Sequence, residues 1–220
     1  MSKAVKLRAL CCHIFFPLFL LSSCLGVSLD ISFDQNGSGT VAMEYHVSRL
    51  VESLGKFDGN ERWNTIPVGK ADLERSLDRL PDMNLLSFSS KENERDLVTN
   101  IKMKFENLNA LMTFLDAGGR RSSFSADARS GYIIFTLAEG NEKENPALAR
   151  LLADISETYA IKITMDLPGT GELKITNNKG VPLPQIPGSN VVSSGKKVSC
   201  SIPLNAVLSS SDGINLEFRW

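Results

Sequence analysis

The chain has 220 residues, with 42% apolar and 22% charged, the proportions of an ordinary folded protein. Its 24 basic and 25 acidic residues nearly cancel and form no basic stripe, which argues against binding along a nucleic-acid backbone. The four cysteines and two histidines include Cys11, Cys12 and His13 in the leading segment, and with that segment set aside too few remain for a dense disulfide framework or a metal centre built on Cys or His clusters.

The first stretch reads as an export signal. Lys3, Lys6 and Arg8 form a basic leader, and residues 9–21 are mostly apolar, densest at Ile14, Phe15, Phe16, Leu18, Phe19, Leu20 and Leu21. About 20 apolar residues are needed to cross a bilayer, and this run falls short. Leu21-Ser22-Ser23-Cys24 resembles the lipobox of bacterial lipoproteins, in which cleavage falls before the cysteine and that cysteine is acylated. Residues 1–23 are therefore expected to be a signal peptide and Cys24 the lipid attachment residue. Taking Lys3, Lys6 and Arg8 from the 24 basic residues leaves 21 against 25 acidic, a formal charge of −4. Taking 23 residues from 220 leaves 197, enough for one large domain or two small ones. Cys11 and Cys12 leave with the signal, so acylation of Cys24 leaves Cys200 without a partner in the chain. His46 is then the sole histidine.

Residues 29–34 alternate, with Leu29, Ile31 and Phe33 on one face, which predicts a half-buried strand. Asp34-Gln35-Asn36-Gly37-Ser38-Gly39 predicts a turn, and Val41, Met43, Tyr45 and Val47 predict the returning strand. In residues 49–69, Leu50, Val51, Leu54 and Phe57 fit one amphipathic turn, whereas Gly55, Gly59 and Pro67 fit a loop around Trp63. Leu73, Leu77 and Leu80 predict a helix over 70–80, stopped by Pro81. A second hairpin is expected from 85–89 and 97–105 about the polar turn 91–96. Asn107 is placed to cap a second helix with Leu108, Leu111, Met112 and Leu115 inward, ended by Gly118 and Gly119. A third hairpin is expected from 122–127 and 132–138. Asn145-Pro146 then opens a third helix, with Leu148, Leu151, Leu152, Ile155 and Tyr159 at helical spacing.

This order, strand-strand-helix three times, predicts an α+β domain over 24–160, an antiparallel sheet with helices on one face. From Ile161 the chain is strand and turn only. Ile161, Ile163, Met165 and Leu167 alternate, Pro168-Gly169-Thr170-Gly171 turns, and Leu173 and Ile175 lead back. The prolines of 181–188 exclude a central strand. Val198, Cys200 and Ile202 alternate, as do Ile214, Leu216, Phe218 and Trp220. Residues 161–220 are thus a β-rich part, separate or continuous with the first domain. No C-terminal membrane span is expected.

Several landmarks carry a family resemblance: Asp34-x-x-Gly37-Ser38-Gly39-Thr40-Val41, Leu167-Pro168-Gly169, Asn178-Lys179-Gly180, Gly195-Lys196-Lys197-Val198, Ile202-Pro203-Leu204 and Arg219-Trp220. Together they resemble the LppM-type family of bacterial envelope lipoproteins over most of residues 24–220. The resemblance implies a surface- or periplasm-facing domain associated with lipids. It brings no catalytic residues.

The candidates for chemistry are few. His46 shares a strand face with Glu44 and Ser48, which offers a base and an orienting group, but the solvated face of a hairpin accounts for them better. The oxygen-rich 34–39 turn lacks the bidentate Glu of a calcium loop. Gly118-Gly119-Arg120-Arg121 fits a solvated turn better than an anion site. Cys200 reads as a small buried hydrophobe. The expectation is a non-enzymatic, lipid-anchored envelope protein, without cofactor or metal, that binds an apolar or amphiphilic ligand such as an envelope lipid. The alternative is an adaptor that docks an envelope protein complex through exposed sheet edges or residues 181–188. Its partners would be the membrane, through Cys24, and a lipid or an envelope protein.

Overall fold

The computed structural model describes residues 26–48, 69–116, 118–127, 130–140, 156, 158–183 and 185–220. Cys24, the 49–68 stretch and the body of the helix expected after Asn145 lie outside them. The described chain is mostly β, in two sheets joined by short helices.

The strands are β1 (Gly26–Phe33), β2 (Gly39–Ser48), β3 (Met83–Glu92), β4 (Asp96–Phe105), β5 (Ser122–Ala126), β6 (Gly131–Ala138), β7 (Ala160–Asp166), β8 (Glu172–Thr176), β9 (Asn190–Ser194), β10 (Lys197–Pro203) and β11 (Ile214–Arg219). The helices are α1 (Lys70–Leu77), α2 (Leu108–Leu115) and α3 (Leu204–Leu208). The larger sheet has the order β3-β4-β2-β1-β7-β10-β9, and the smaller has the order β5-β6-β11-β8.

The three expected hairpins form, each where alternation and turn residues place it. In the first turn Gly37 takes φ 83°, the left-handed conformation that glycine tolerates. Ser38 Oγ donates to Asp34 Oδ2 at 3.0 Å and to Asn36 Oδ1 at 2.8 Å, so the oxygens of this turn serve the turn itself. Asn107 caps α2 as expected, its Oδ1 accepting from the Ala110 amide at 2.8 Å.

The expected α+β arrangement, three strand-strand-helix units with helices along one face, is not what forms. The first two hairpins join through β2 and β4, but the third enters the other sheet, where β6 pairs with β11. The reason lies after Ile161. Alternating segments there supply strands to both sheets, so strand-on-strand pairing takes up hydrogen bonds that a repeated hairpin array would leave at its edges. The helices act as short connections. α1 buries only Leu73 and Leu77 of its described side chains, and α3 spans 5 residues.

A second correction concerns the turn at 168–171. β7 and β8 were expected to pair as a hairpin, yet β7 lies in the larger sheet and β8 in the smaller. A Cβ on Gly171 would stand 2.4 Å from Val198 and 2.6 Å from Leu167, so the chain crosses close to β10 as it changes sheets. β7 instead runs parallel to β1, in the register Val27–Ile161 to Ser32–Asp166.

Both sheets feed one core. From the larger come Ile31, Val41, Met103, Phe105, Ile161, Met165, Val198 and Ile202, and from the smaller Ile133, Phe135, Leu216 and Phe218, all essentially inaccessible to solvent. Phe33 bridges the sheets, meeting Phe105 edge-on at 5.4 Å and stacking on Trp220 at 6.1 Å. Leu111, Met112 and Leu115 of α2 are buried in the same core. Among the described residues no helix is long and apolar enough to cross a membrane.

Candidate functional site

The face of the larger sheet opposite the core is polar. Alternation along β2 turns Glu44, His46 and Ser48 to it, and alternation along β4 turns Asp96, Val98 and Asn100. The antiparallel register sets Ser48 opposite Asp96, His46 opposite Val98 and Glu44 opposite Asn100. Asp96 is thus a diagonal neighbour of His46.

His46 sits between two carboxylates. Its Nε2 lies 3.0 Å from Glu44 Oε1, and its Nδ1 lies 3.6 Å from Asp96 Oδ2. The other oxygen of Asp96 accepts from the Tyr159 hydroxyl at 2.6 Å. Tyr159 can reach it because Gly26, opposite His46, has no side chain. A Cβ there would stand 3.1 Å from the Tyr159 ring. Asp96 itself is held by the turn before it, where Asn93 Oδ1 accepts from the amides of Arg95 at 2.8 Å and Asp96 at 2.7 Å. Arg95 donates to Thr158 Oγ1 at 3.4 Å, tying the same two segments. Burial, then the hydrogen bond and charge of Asp96, push the Tyr159 phenol up to about 12.

This geometry limits the chemistry. A general base needs a ring nitrogen with its lone pair aimed at a proton it can take. Each ring nitrogen of His46 already has a carboxylate oxygen beside it, at 3.0 Å and at 3.6 Å, so the two acids fix the orientation of the imidazole within the sheet face. The cluster is a compensated polar knot. Glu44 and His46 were picked out in sequence and do meet. Asp96 and Tyr159 were not. Tyr159 reads as the last residue of a helical stripe, but its carbonyl instead accepts from the Leu204 amide at 2.9 Å and its side chain crosses to β4.

Next to the knot an open trough of about 460 Å³ runs over the sheet, lined by Ser28, Asp30, Glu44, Ser89, Asn100 and Lys102 among others. A second open groove, of about 420 Å³, lies between α3 and the proline-bearing segment, with Leu183, Ile186, Pro187, Ala206 and Asp212 in its walls. Cys200 is buried, and burial pushes its thiol up to about 12. Cys24 lies outside the described residues.

The sheet edges differ in character. β9 closes one edge of the larger sheet with the sequence Asn-Val-Val-Ser-Ser, exposed throughout. Val191 and Val192 keep 41% and 50% of their surface open to solvent, a degree of exposure that few large apolar residues share here. Val181, on the segment bridged to β8 through Thr176 and Pro182, is 54% exposed.

No family model, curated protein or solved structure matches the chain.

Proposed function

We propose that this is a non-enzymatic lipoprotein of the bacterial cell envelope, anchored by acyl chains on Cys24, that docks an extended segment of an envelope protein along β9. The observation that carries the docking is the edge itself. Natural sheets protect their edges with charge, proline or covering elements. β9 has none of these within its five residues and presents two open valines. A partner strand laid beside it would gain main-chain hydrogen bonds and side-chain pockets. The lipobox and the resemblance to LppM-type lipoproteins support the envelope setting, because both place the domain at a membrane surface.

The lipid-ligand reading has less support. The Leu and Met stripe of α2 is packed into the core, and the two concavities are open and lined by mixed polar and apolar groups, so neither is an enclosed apolar chamber.

A photo-crosslinking residue placed at Val192 in envelope membranes tests the docking. A discrete protein adduct is expected, absent from the same residue placed at Asn36 and weakened by Val191→Lys. Equal adducts at both positions, or none, would overturn it. Native mass spectrometry on the mature protein provides the complementary measurement. A bound species of lipid mass, released by organic extraction, would move the lipid ligand to first place. For the anchor, Cys24→Ala is expected to abolish acyl labelling, and unchanged labelling would sink it.

A further inference from the structure

We infer that one end of the larger sheet, carrying His46, the exposed 91–95 turn and Thr158, is a membrane-contact surface whose partner is the headgroup layer of the bilayer that holds the anchor. The inference rests on acylation of Cys24 and goes beyond it in fixing which way the domain stands.

The argument begins with chain length. One residue, Leu25, separates Cys24 from Gly26, the first residue of β1. Consecutive Cα atoms are about 3.8 Å apart, so the anchored cysteine lies within roughly 8 Å of the end of β1. β1 is no loose tail. It sits inside the larger sheet, paired with β2 on one side and β7 on the other. The anchor therefore attaches directly to a rigid element.

Register then identifies what shares that end. His46 lies opposite Gly26, and Asp96 opposite Ser48. The β3–β4 turn follows at once, since Glu92 pairs with Leu97. Val27 pairs with Ile161, which brings Thr158 and Tyr159 to the same end. Ile202 pairs with Ile161, which brings Pro203 and the start of α3. The Tyr159–Asp96 and Arg95–Thr158 hydrogen bonds knit these segments into one surface. At the opposite end lie the 34–38 turn, α2 and Trp220, the last against Phe33. Eight strand residues separate the two ends, roughly 25 Å.

The exposed groups at the near end suit headgroups rather than acyl chains. Lys91, Glu92, Asn93, Glu94 and Arg95 are exposed, and together they offer both donors for phosphate and acceptors for ammonium groups. β9 begins at the same end, because Asn190 pairs with Ser201. It rises away from the bilayer, so a strand docked on it would run along the membrane normal.

The test uses the full-length acylated protein in vesicles of phosphatidylethanolamine and phosphatidylglycerol carrying a nitroxide on the headgroup. One fluorophore is attached through Glu94→Cys, and in a second sample through Gln35→Cys. Both positions are exposed, one at each end. The label at 94 is expected to lose most of its emission and the label at 35 little. Inserting about ten Gly and Ser residues between Leu25 and Gly26, a flexible tether of roughly 17 Å, is expected to remove the difference. Equal quenching in protein that floats with the vesicles would overturn the orientation and leave the anchor standing. A difference unchanged by the insertion would still support the contact, with the exposed 91–95 groups holding it without the short tether. Failure to float would overturn both.

Discussion

The Tyr159 hydroxyl donates to Asp96 at 2.6 Å, joining the start of β7 to the start of β4 across two intervening strands. A hydrogen bond to a charged group contributes about 1.5–3 kcal/mol, and an acceptor left unpaired costs more than the bond itself. Tyr159→Phe is therefore expected to lower stability by about 1–2 kcal/mol in urea unfolding. Asp96→Ala should cost more, because His46 loses the same carboxylate. The double variant should fall short of the sum, since both changes remove one shared contact.

Two groups predict a loss of stability in alkali. The Tyr159 phenol rises from 10.0 to about 12 in the fold, through burial first and Asp96 second. The Cys200 thiol rises from 9.0 to about 12 through burial. Each folded value lies above the unfolded one, so the unfolded chain releases its protons first. Their contribution is whole below the unfolded values and drains away as pH climbs towards the folded ones. The urea midpoint should thus fall between pH 9 and 12, with a shallower fall in Cys200→Ala. Tyr159→Phe should flatten the upper part of the same interval, from 10 to 12.

Cys200 also reports on opening of the fold. Its side chain lies between Val198 and Ile202 on the core face of β10, with 4% of its surface accessible. Iodoacetamide at neutral pH should leave it unmodified in the native protein, and labelling should follow the unfolding curve measured by circular dichroism. Rapid native labelling would mean that β10 separates from its neighbours before global unfolding.

Two glycines rank differently. A Cβ on Gly39 would stand 2.0 Å from the Ser32 carbonyl oxygen, a backbone atom fixed by the β1–β2 pairing. A Cβ on Gly131 would stand 2.2 Å from the Trp220 ring, a side chain that can swing at the cost of its stacking on Phe33. Both alanine variants should be destabilised, Gly131→Ala by about 1–3 kcal/mol and Gly39→Ala by more. Thermal melts of the two variants check the order.

Local features were legible because their causes are local. The Asp34 to Gly39 turn, the Asn107 cap and the alternation around Ile31, Ile101 and Phe218 are written in neighbouring residues. Which strand pairs with which is not. Leu29 and Ile163 carry no mark that makes them parallel neighbours, and Leu173 after a Gly-rich turn looks like the return of a hairpin even though its partner is Phe218. The helices misled for a related reason. A stripe such as Leu73 and Leu77 shows that one face is buried, but not whether a helix or another sheet covers most of the core. The polar knot was half visible. Glu44 and His46 are two residues apart on one strand, whereas Asp96 and Tyr159 arrive only through pairing and through the space above Gly26.

The parallel contact between β1 and β7 has a consequence in time. β1 is the first described strand to be synthesised, and β2 can join it at once through the five-residue connection 34–38. Its other flank waits for residues 161–166, which emerge last but for four strands. Contacts so distant in sequence form slowly, because loop closure precedes their gain. Until then β1 shows open main-chain groups along that flank, the kind of surface that other chains join. Safe folding of this protein therefore depends on how quickly its final third follows its first out of synthesis.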